Sequence, residues 1–302
     1  MSQLNSLSAS PVLQQTVYLN GKFLPMCEAA ISPQDRGFLF GDGVYEVIPV
    51  YQGKLFAWQE HLQRLKNSLL AVNISNPLAD NEWLNLMNEL ISRHDWKDQF
   101  IYLQVTRGIQ MVRDHLPIDD LTPTIYAYTN PLKPVAETIL KNGIKLVSLE
   151  DIRWLRCDIK AITLLPNVMM KLAAKEQGAD DAVLISREGL VTEGTASNLF
   201  IVKDGILITP PNSSKILPGV TRQVIENVAS SHHIPISEQE LTLIDLQNAD
   251  EIWLTSSTKE ALPVTELDGK QVGNGKPGAV WKIMNQHYQT HKQAFITGYN
   301  ES

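Results

Sequence analysis

The chain has 302 residues, 43% of them hydrophobic and 20% charged, with a net charge of −7. That length allows one large or two medium domains of ordinary soluble composition, and the acidic balance argues against a nucleic-acid binder without excluding a local basic pocket for a small anion. No run of eighteen apolar residues suggests a membrane span, and Cys27 and Cys157 form no disulfide framework, which fits a reducing compartment.

In chain order, "MSQLNSLSASPVLQQT" has no basic start followed by an apolar core; it reads as a polar arm over 1–16 rather than a secretory signal. "TVYLNGKFLP" reads as a hairpin turned at Asn20-Gly21, and "VYEVIPVYQGKLFAW" as a second strand pair with a Gln-Gly turn. "QEHLQRLKNSLLAV" switches to helical period, with Leu62, Leu65, Leu69 and Leu70 on one face. "DNEWLNLMNELISRH" is an amphipathic helix that Asp80 or Asn81 could cap. "FIYLQVTRG" and "TIYAYTN" read as strands flanking the loop "IQMVRDHLPIDDLTP". Residues 17–130 are expected to form a small N-terminal domain. Proline-bearing 131–136 is the linker, and 137–302 form a larger C-terminal domain.

Beyond the linker, "GIKLVSLE" is a strand. "EDIRWLRCDIKAITLLPN" reads as another, with Trp154, Arg156, Asp158 and Lys160 on one side. "NVMMKLAAKEQGA" is a helix closed by Gly178. Residues 181–210 give about four strands with turns at Glu188-Gly189 and Asp204-Gly205, and "ILPGVTRQVIENVASSH" is a loop entering a helix. "EIWLTSSTKEALPV" is a strand running into a polar turn, where Ser257 and Glu260 are spaced as a capping box. Strands in antiparallel runs make this a two-domain α+β chain rather than a βαβ alternation.

Taken singly, the chemical features have bland readings. Lys160 could be a solvated lysine, Glu193 a strand-end carboxylate, and "LPGVT" an ordinary entry into a helix. Arg113 and His115 could lie on a solvated loop. Together they are more informative. An amine in a partly dry pocket can form a Schiff base with a carbonyl. Free N–H groups at Gly219, Val220 and Thr221 would favour an anion, and "TSSTKE" offers hydroxyls. Arg113 and His115, two apart in an extended loop, would aim at one target such as a carboxylate. A lysine, an acid for a ring nitrogen and a phosphate cup are the parts a pyridoxal phosphate site needs. No metal site is expected.

The motifs "ISPQDRGFLFGDGVYEVIPVYQGKLFAWQEHLQRL", "EDIRWLRCDIKAITLLPN", "VTEGTASNLF", "ILPGVTR" and "WLTSSTKEALPV" occur in that order between about residues 17 and 285. In this the sequence resembles the fold-type IV pyridoxal phosphate enzymes, the class IV aminotransferases. Within them it is most similar to the bacterial D-amino acid (D-alanine) transaminases. The resemblance implies a small N-terminal α/β domain, a larger β-rich C-terminal domain and the cofactor pyridoxal 5'-phosphate between them. It implies that Lys160 forms the Schiff base and moves the Cα proton, and that Glu193 keeps the pyridine nitrogen protonated. Arg64, the N–H groups of Val220 and Thr221, the Thr221 hydroxyl, Ser256 and Ser257 would hold the phosphate, with Leu217 against the ring. Tyr45, Arg113 and His115 would take the substrate carboxylate, the latter two from the partner subunit of a cytoplasmic homodimer. Pro49, Ala196 and Pro166 depart from the pattern, and Pro49 lies near the substrate side. Rival readings are an L-branched-chain aminotransferase or aminodeoxychorismate lyase of the same fold, a cofactor-free Schiff-base enzyme, and a non-catalytic binding protein.

Overall fold

A computed structural model describes residues 14–298. The expected arm over 1–16 lies almost wholly outside them. The described chain divides into two compact units: residues up to Lys133 together with Ile159–Thr163, and Pro134–Asp158 together with the chain from Leu164 onward. Ile159–Thr163, which the sequence reading assigned to the second domain, thus belongs with the first unit.

The first unit is a six-stranded sheet in the order β2-β1-β6-β5-β3-β4. Its elements are β1 (Thr16–Leu19), β2 (Lys22–Pro25), α1 (Arg36–Phe40), β3 (Gly43–Tyr51), β4 (Lys54–Leu55), α2 (Trp58–Ala71), α3 (Asp80–Ser92), β5 (Gln99–Thr106) and β6 (Thr124–Pro131). Both expected hairpins form. Asn20 and Gly21 take φ of 46° and 87°, and Gln52 and Gly53 take 49° and 76°, the left-handed pair of a type I′ turn. Val44, Ile48 and Val50 of β3 and Ile101, Leu103 and Val105 of β5 point into one core with Leu62, Leu65, Leu69, Trp83, Met87 and Leu90 from the helices. Tyr45, Tyr102, Tyr126 and Tyr128 point to the other face and are half-buried. Leu70 is not on the core face of α2; it is 76% exposed. The buried stripe is centred instead on His61, Arg64 and Ser68, beside Leu62, Leu65 and Leu69. Neither Asp80 nor Asn81 caps α3. Ala79 is the N-cap residue, and the Glu82 carboxylate accepts its N–H at 2.7 Å.

The second unit contains α4 (Glu137–Asn142), β7 (Ile144–Glu150), α5 (Leu165–Glu176), β8 (Asp181–Ile185), β9 (Val191–Gly194), β10 (Asn198–Lys203), β11 (Ile206–Thr209) and α6 (Val220–Ser231). It continues with β12 (Ile236–Glu238), α7 (Leu243–Gln247), β13 (Glu251–Ser256), β14 (Glu260–Leu267), β15 (Lys270–Gln271) and α8 (Ala279–Thr297). The strands form one sheet, β12-β11-β10-β13-β14-β7-β8-β9, with β15 on β14. Most of its pairings are antiparallel; β14–β7, β7–β8 and β11–β12 are parallel. Its core includes Leu146, Val183, Leu199, Ile201, Ile252, Leu254 and Val264. Pro166 sits in the first turn of α5, where its missing N–H has no intrahelical partner to lose. Ala196 is exposed in the turn from β9 to β10.

Two further segments depart from the sequence pattern. Residues 151–164 are not a strand but an irregular segment. The Asp151 carboxylate accepts the backbone N–H of Arg153 at 3.1 Å, a local turn that competes with strand pairing. The charged row expected of alternation therefore does not exist; Arg156 and Asp158 instead form an exposed pair at 3.0 Å. Ser257 and Glu260 do not open a helix. Residues 256–260 turn the β13–β14 hairpin, with Ser256 opposite Glu260, whose carboxylate pairs with Lys292 at 2.6 Å.

Candidate active site

In the first unit Lys160 is fixed through its backbone. Its carbonyl accepts the Tyr45 N–H at 2.9 Å, its own N–H donates to Ser68 Oγ at 3.2 Å, and Ala161 bridges to Val44. The chain so pinned passes the start of β3, with Ile159 buried in the core. The half-buried Lys160 has no carboxylate within ion-pair distance among the described residues of its unit. Its Nζ lies 4.1 Å from the centroid of the Tyr45 ring. Tyr45 stacks on Tyr102 at 5.7 Å and Tyr102 on Tyr128 at 5.2 Å, so an aromatic row runs across the sheet from the amine. Pro49 shares that face of β3 by strand alternation.

Arg64 is 7% exposed and donates from Nε and Nη2 to both Glu46 oxygens, at 2.8 and 2.7 Å. His61 Nδ1 meets Glu46 Oε2 at 2.8 Å. The Arg64 guanidinium holds the fully buried Glu46 carboxyl down at about 2, against the effect of burial. Burial lowers the His61 pKa, against the raising effect of the Glu46 carboxylate. Residue spacing alone did not single out Glu46 or His61. Their signal was available as a carboxylate in an apolar strand, "VYEVI", and a histidine one turn before Arg64.

Arg113 and His115 do converge, and they meet on a ring. The Arg113 guanidinium lies 4.8 Å from the Phe40 centroid, and the His115 imidazole 5.3 Å from it.

In the second unit Glu193 is 4% exposed on β9. One oxygen pairs with Arg153, the other accepts Asn198 Nδ2 at 3.0 Å, and both lie 3.2 Å from the Leu217 N–H. Burial pushes the carboxyl above its ordinary range, while Arg153 and the Leu217 N–H oppose that shift. Arg153 is held in turn by Asp151 through two bonds, at 2.9 and 2.7 Å. Arg153 and Asn198 were missed at the sequence level, although both stand inside quoted motifs. Asn198 Nδ2 also donates to the Leu217 carbonyl at 2.8 Å, tying the loop before α6 to β10.

Val220 and Thr221, both buried, open α6 behind Gly219, and no side chain caps that end. A Cβ at Gly219 would collide with Asn198 Oδ1, so only glycine allows this approach. Thr255, opposite Asn198 in the β10–β13 register, has a buried Oγ1 without a hydrogen-bond partner among the described residues. Ser256 and Ser257 follow it, half-buried at the hairpin turn. An uncapped helix start beside an orphaned hydroxyl and two serines suits a phosphate, and a buried carboxylate locked by Arg153 suits an acceptor for a protonated ring nitrogen. The residues present therefore fit pyridoxal phosphate. Among the described residues no cluster of His, Cys, Asp and Glu could hold a metal ion, and no helix is long and apolar enough to cross a membrane.

The family described as amino-transferase class IV matches residues 43–267, so the chain belongs to the class IV aminotransferases. It is 42% identical over 267 residues to a D-alanine aminotransferase of Bacillus licheniformis, covering 88% of this chain and 93% of that one. It is 40% identical to a D-alanine aminotransferase of Listeria monocytogenes, covering 90% and 94%. Among solved structures, the branched-chain amino acid aminotransferase of Escherichia coli superposes with a TM-score of 0.87 at 25% identity, over 96% of this chain and 97% of that one.

Proposed function

We propose that the protein is a pyridoxal phosphate-dependent D-amino acid transaminase. It moves the amino group of a D-amino acid such as D-alanine to a 2-oxo acid such as 2-oxoglutarate, giving pyruvate and D-glutamate in two alternating half-reactions. The observation that carries this reading is the convergence of Arg113 and His115 on Phe40 in a chain 42% identical to a D-alanine aminotransferase.

Bound pyridoxal phosphate would supply an electron sink for the charge that develops at the substrate Cα. The residues of this chain do the rest. Lys160 supplies the amine that holds the cofactor and then carries the Cα proton. Glu193, kept in place by Arg153, Asn198 and the Leu217 N–H, accepts a hydrogen bond from the protonated ring nitrogen. The Val220 and Thr221 N–H groups, the Thr221 hydroxyl, Ser256, Ser257 and Arg64 hold the phosphate, and Leu217 packs on the ring. Tyr45, Arg113 and His115 bind the substrate carboxylate, a charge that an amine substrate would lack. The same proposal includes a two-domain division at 131–136, a homodimer whose partner contributes Arg113 and His115, and a cytoplasmic location. A branched-chain L-amino acid aminotransferase is the second reading, favoured by the likeness of the fold to the Escherichia coli enzyme.

The test is a visible absorption spectrum of the purified protein, followed by D-alanine and L-alanine added separately without a 2-oxo acid. Bleaching of the band by D-alanine with release of pyruvate is the expected result. Bleaching by L-leucine alone would move the chain to the second reading, and absence of a band even after added pyridoxal phosphate would overturn both.

A further inference from the structure

The loop between β5 and β6 carries Arg113 and His115 on its exposed tip, so something must hold that tip in one place. Gln110, 4% exposed, folds the loop from within. Its Nε2 donates to the carbonyls of Val112 and Leu116 at 3.0 and 3.3 Å, and its Oε1 accepts the Ile118 N–H at 3.1 Å. Arg36, also 4% exposed, fastens it from outside. Arg36 Nη1 donates to the Asp114 carbonyl at 2.7 Å and to Gln110 Oε1 at 3.2 Å, and Nη2 donates to the His115 carbonyl at 2.8 Å. Nε anchors the guanidinium to Asp42 at 2.8 Å, and Asp42 is shared with Arg107 at 2.8 and 2.9 Å. Arg107 reaches on to the Val72 and Asn73 carbonyls at the end of α2, both at 2.7 Å. The same five-residue helix supplies Phe40, whose ring meets the Arg36, Arg113 and His115 side chains.

We propose that Arg36 is a positioning residue for substrate recognition: its guanidinium holds the backbone on either side of the His115 amide nitrogen, and Phe40 holds the two side chains, so that Arg113 and His115 present a preset carboxylate grip. The inference rests on the substrate reading given above. A planar fork is required, because one group must reach a carboxylate and two carbonyls at fixed angles; a lysine keeps the charge toward Asp42 but cannot span all three.

The test compares two nucleophiles that attack the bound cofactor and free Lys160, one with a carboxylate (aminooxyacetate) and one without (methoxyamine). Loss of the cofactor band gives both rates in the holoenzyme. In Arg36→Lys the rate advantage of aminooxyacetate is expected to fall about tenfold or more, the effect of losing hydrogen bonds to a charged group. In Phe40→Leu, which strands no charge, it is expected to fall about threefold or more, the effect of losing the ring contacts to Arg113 and His115. The methoxyamine rate and cofactor content should hold, and KM for D-alanine should rise more than kcat falls. Equal loss with both nucleophiles would mean Arg36 is merely structural and would overturn the proposal. Arg113→Gln is the control. If it loses the advantage while Arg36→Lys and Phe40→Leu keep it, the positioning role fails and the substrate reading stands. If Arg113→Gln keeps the advantage, the substrate reading itself fails.

Discussion

Glu193 shows what a single buried charge is asked to do. Its carboxylate accepts hydrogen bonds from Arg153, Asn198 and the Leu217 N–H; burial raises its pKa, and Arg153 and the Leu217 N–H oppose that rise. Glu193→Gln keeps the shape but removes the charge proposed to face a ring nitrogen, so turnover is expected to fall on the order of a hundredfold or more in steady-state assays. Cofactor should still bind through the phosphate groups. Glu46 makes a separate prediction. Its pKa is depressed from 4.5 to about 2, so the folded state binds fewer protons than the unfolded chain in that window. Stability from this pair is present above pH 4.5 and is lost as pH falls from there toward about 2. His61 adds to the slope, because its lowered pKa makes the unfolded imidazole take up a proton first as pH drops below 6.5. Urea unfolding across this range should show both effects. Glu46→Gln should cost about 1.5–3 kcal/mol at neutral pH by weakening the charge-assisted bonds to Arg64 and His61, and should flatten the acid limb.

At the scale of elements, the start of α6 and the end of β9 form one assembly through Asn198. That side chain touches Glu193, the Leu217 carbonyl and the Gly219 backbone. Gly219→Ala forces Asn198 aside. It is therefore expected to weaken pyridoxal phosphate binding about tenfold or more, measured by titrating the apoenzyme, since a hydrogen bond to a charged group is lost at the same time as the helix start shifts. A purely local effect would leave affinity unchanged and lower only the melting temperature. The legibility of these elements was uneven. The Asn20-Gly21 and Gln52-Gly53 turns were readable because a type I′ turn is a two-residue requirement. The α2 face was readable only in part. Leu62, Leu65 and Leu69 are buried as the period predicts, but the polar row His61, Arg64 and Ser68 pulls the buried stripe away from Leu70. Those polar groups are buried because Glu46 and the Lys160 backbone meet them, which no helical period encodes.

At the scale of the whole molecule, the proposed homodimer has a consequence that one subunit cannot mimic. If Arg113 and His115 act in the partner's site, co-expressing Lys160→Ala with Arg113→Gln should restore activity that neither variant has alone. Random pairing makes half the molecules hybrid with one intact site each, so roughly a quarter of wild-type activity is expected from the mixture. Activity no higher than the sum of the separate variants would place the loop in its own subunit's site.

Features that depend on short-range chemistry were legible in the amino-acid order. It placed the turns, the amphipathic helices and the candidate residues Lys160, Glu193, Arg113 and His115 in motifs whose order points to the class IV aminotransferases. Features that depend on partners distant in the chain emerge with the fold. Residues 150–167 read as one strand because their pattern alternates, yet past Glu150 the Asp151 side chain turns the chain, Lys160 is held instead by Tyr45 and Ser68, and a helix begins at Leu165. Ser257 and Glu260 have capping-box spacing, yet they turn a hairpin because β13 and β14 pair across them. Arg36, Glu46 and Arg153 gained their roles the same way, since a buried charge is defined by which opposite charge the fold brings to it.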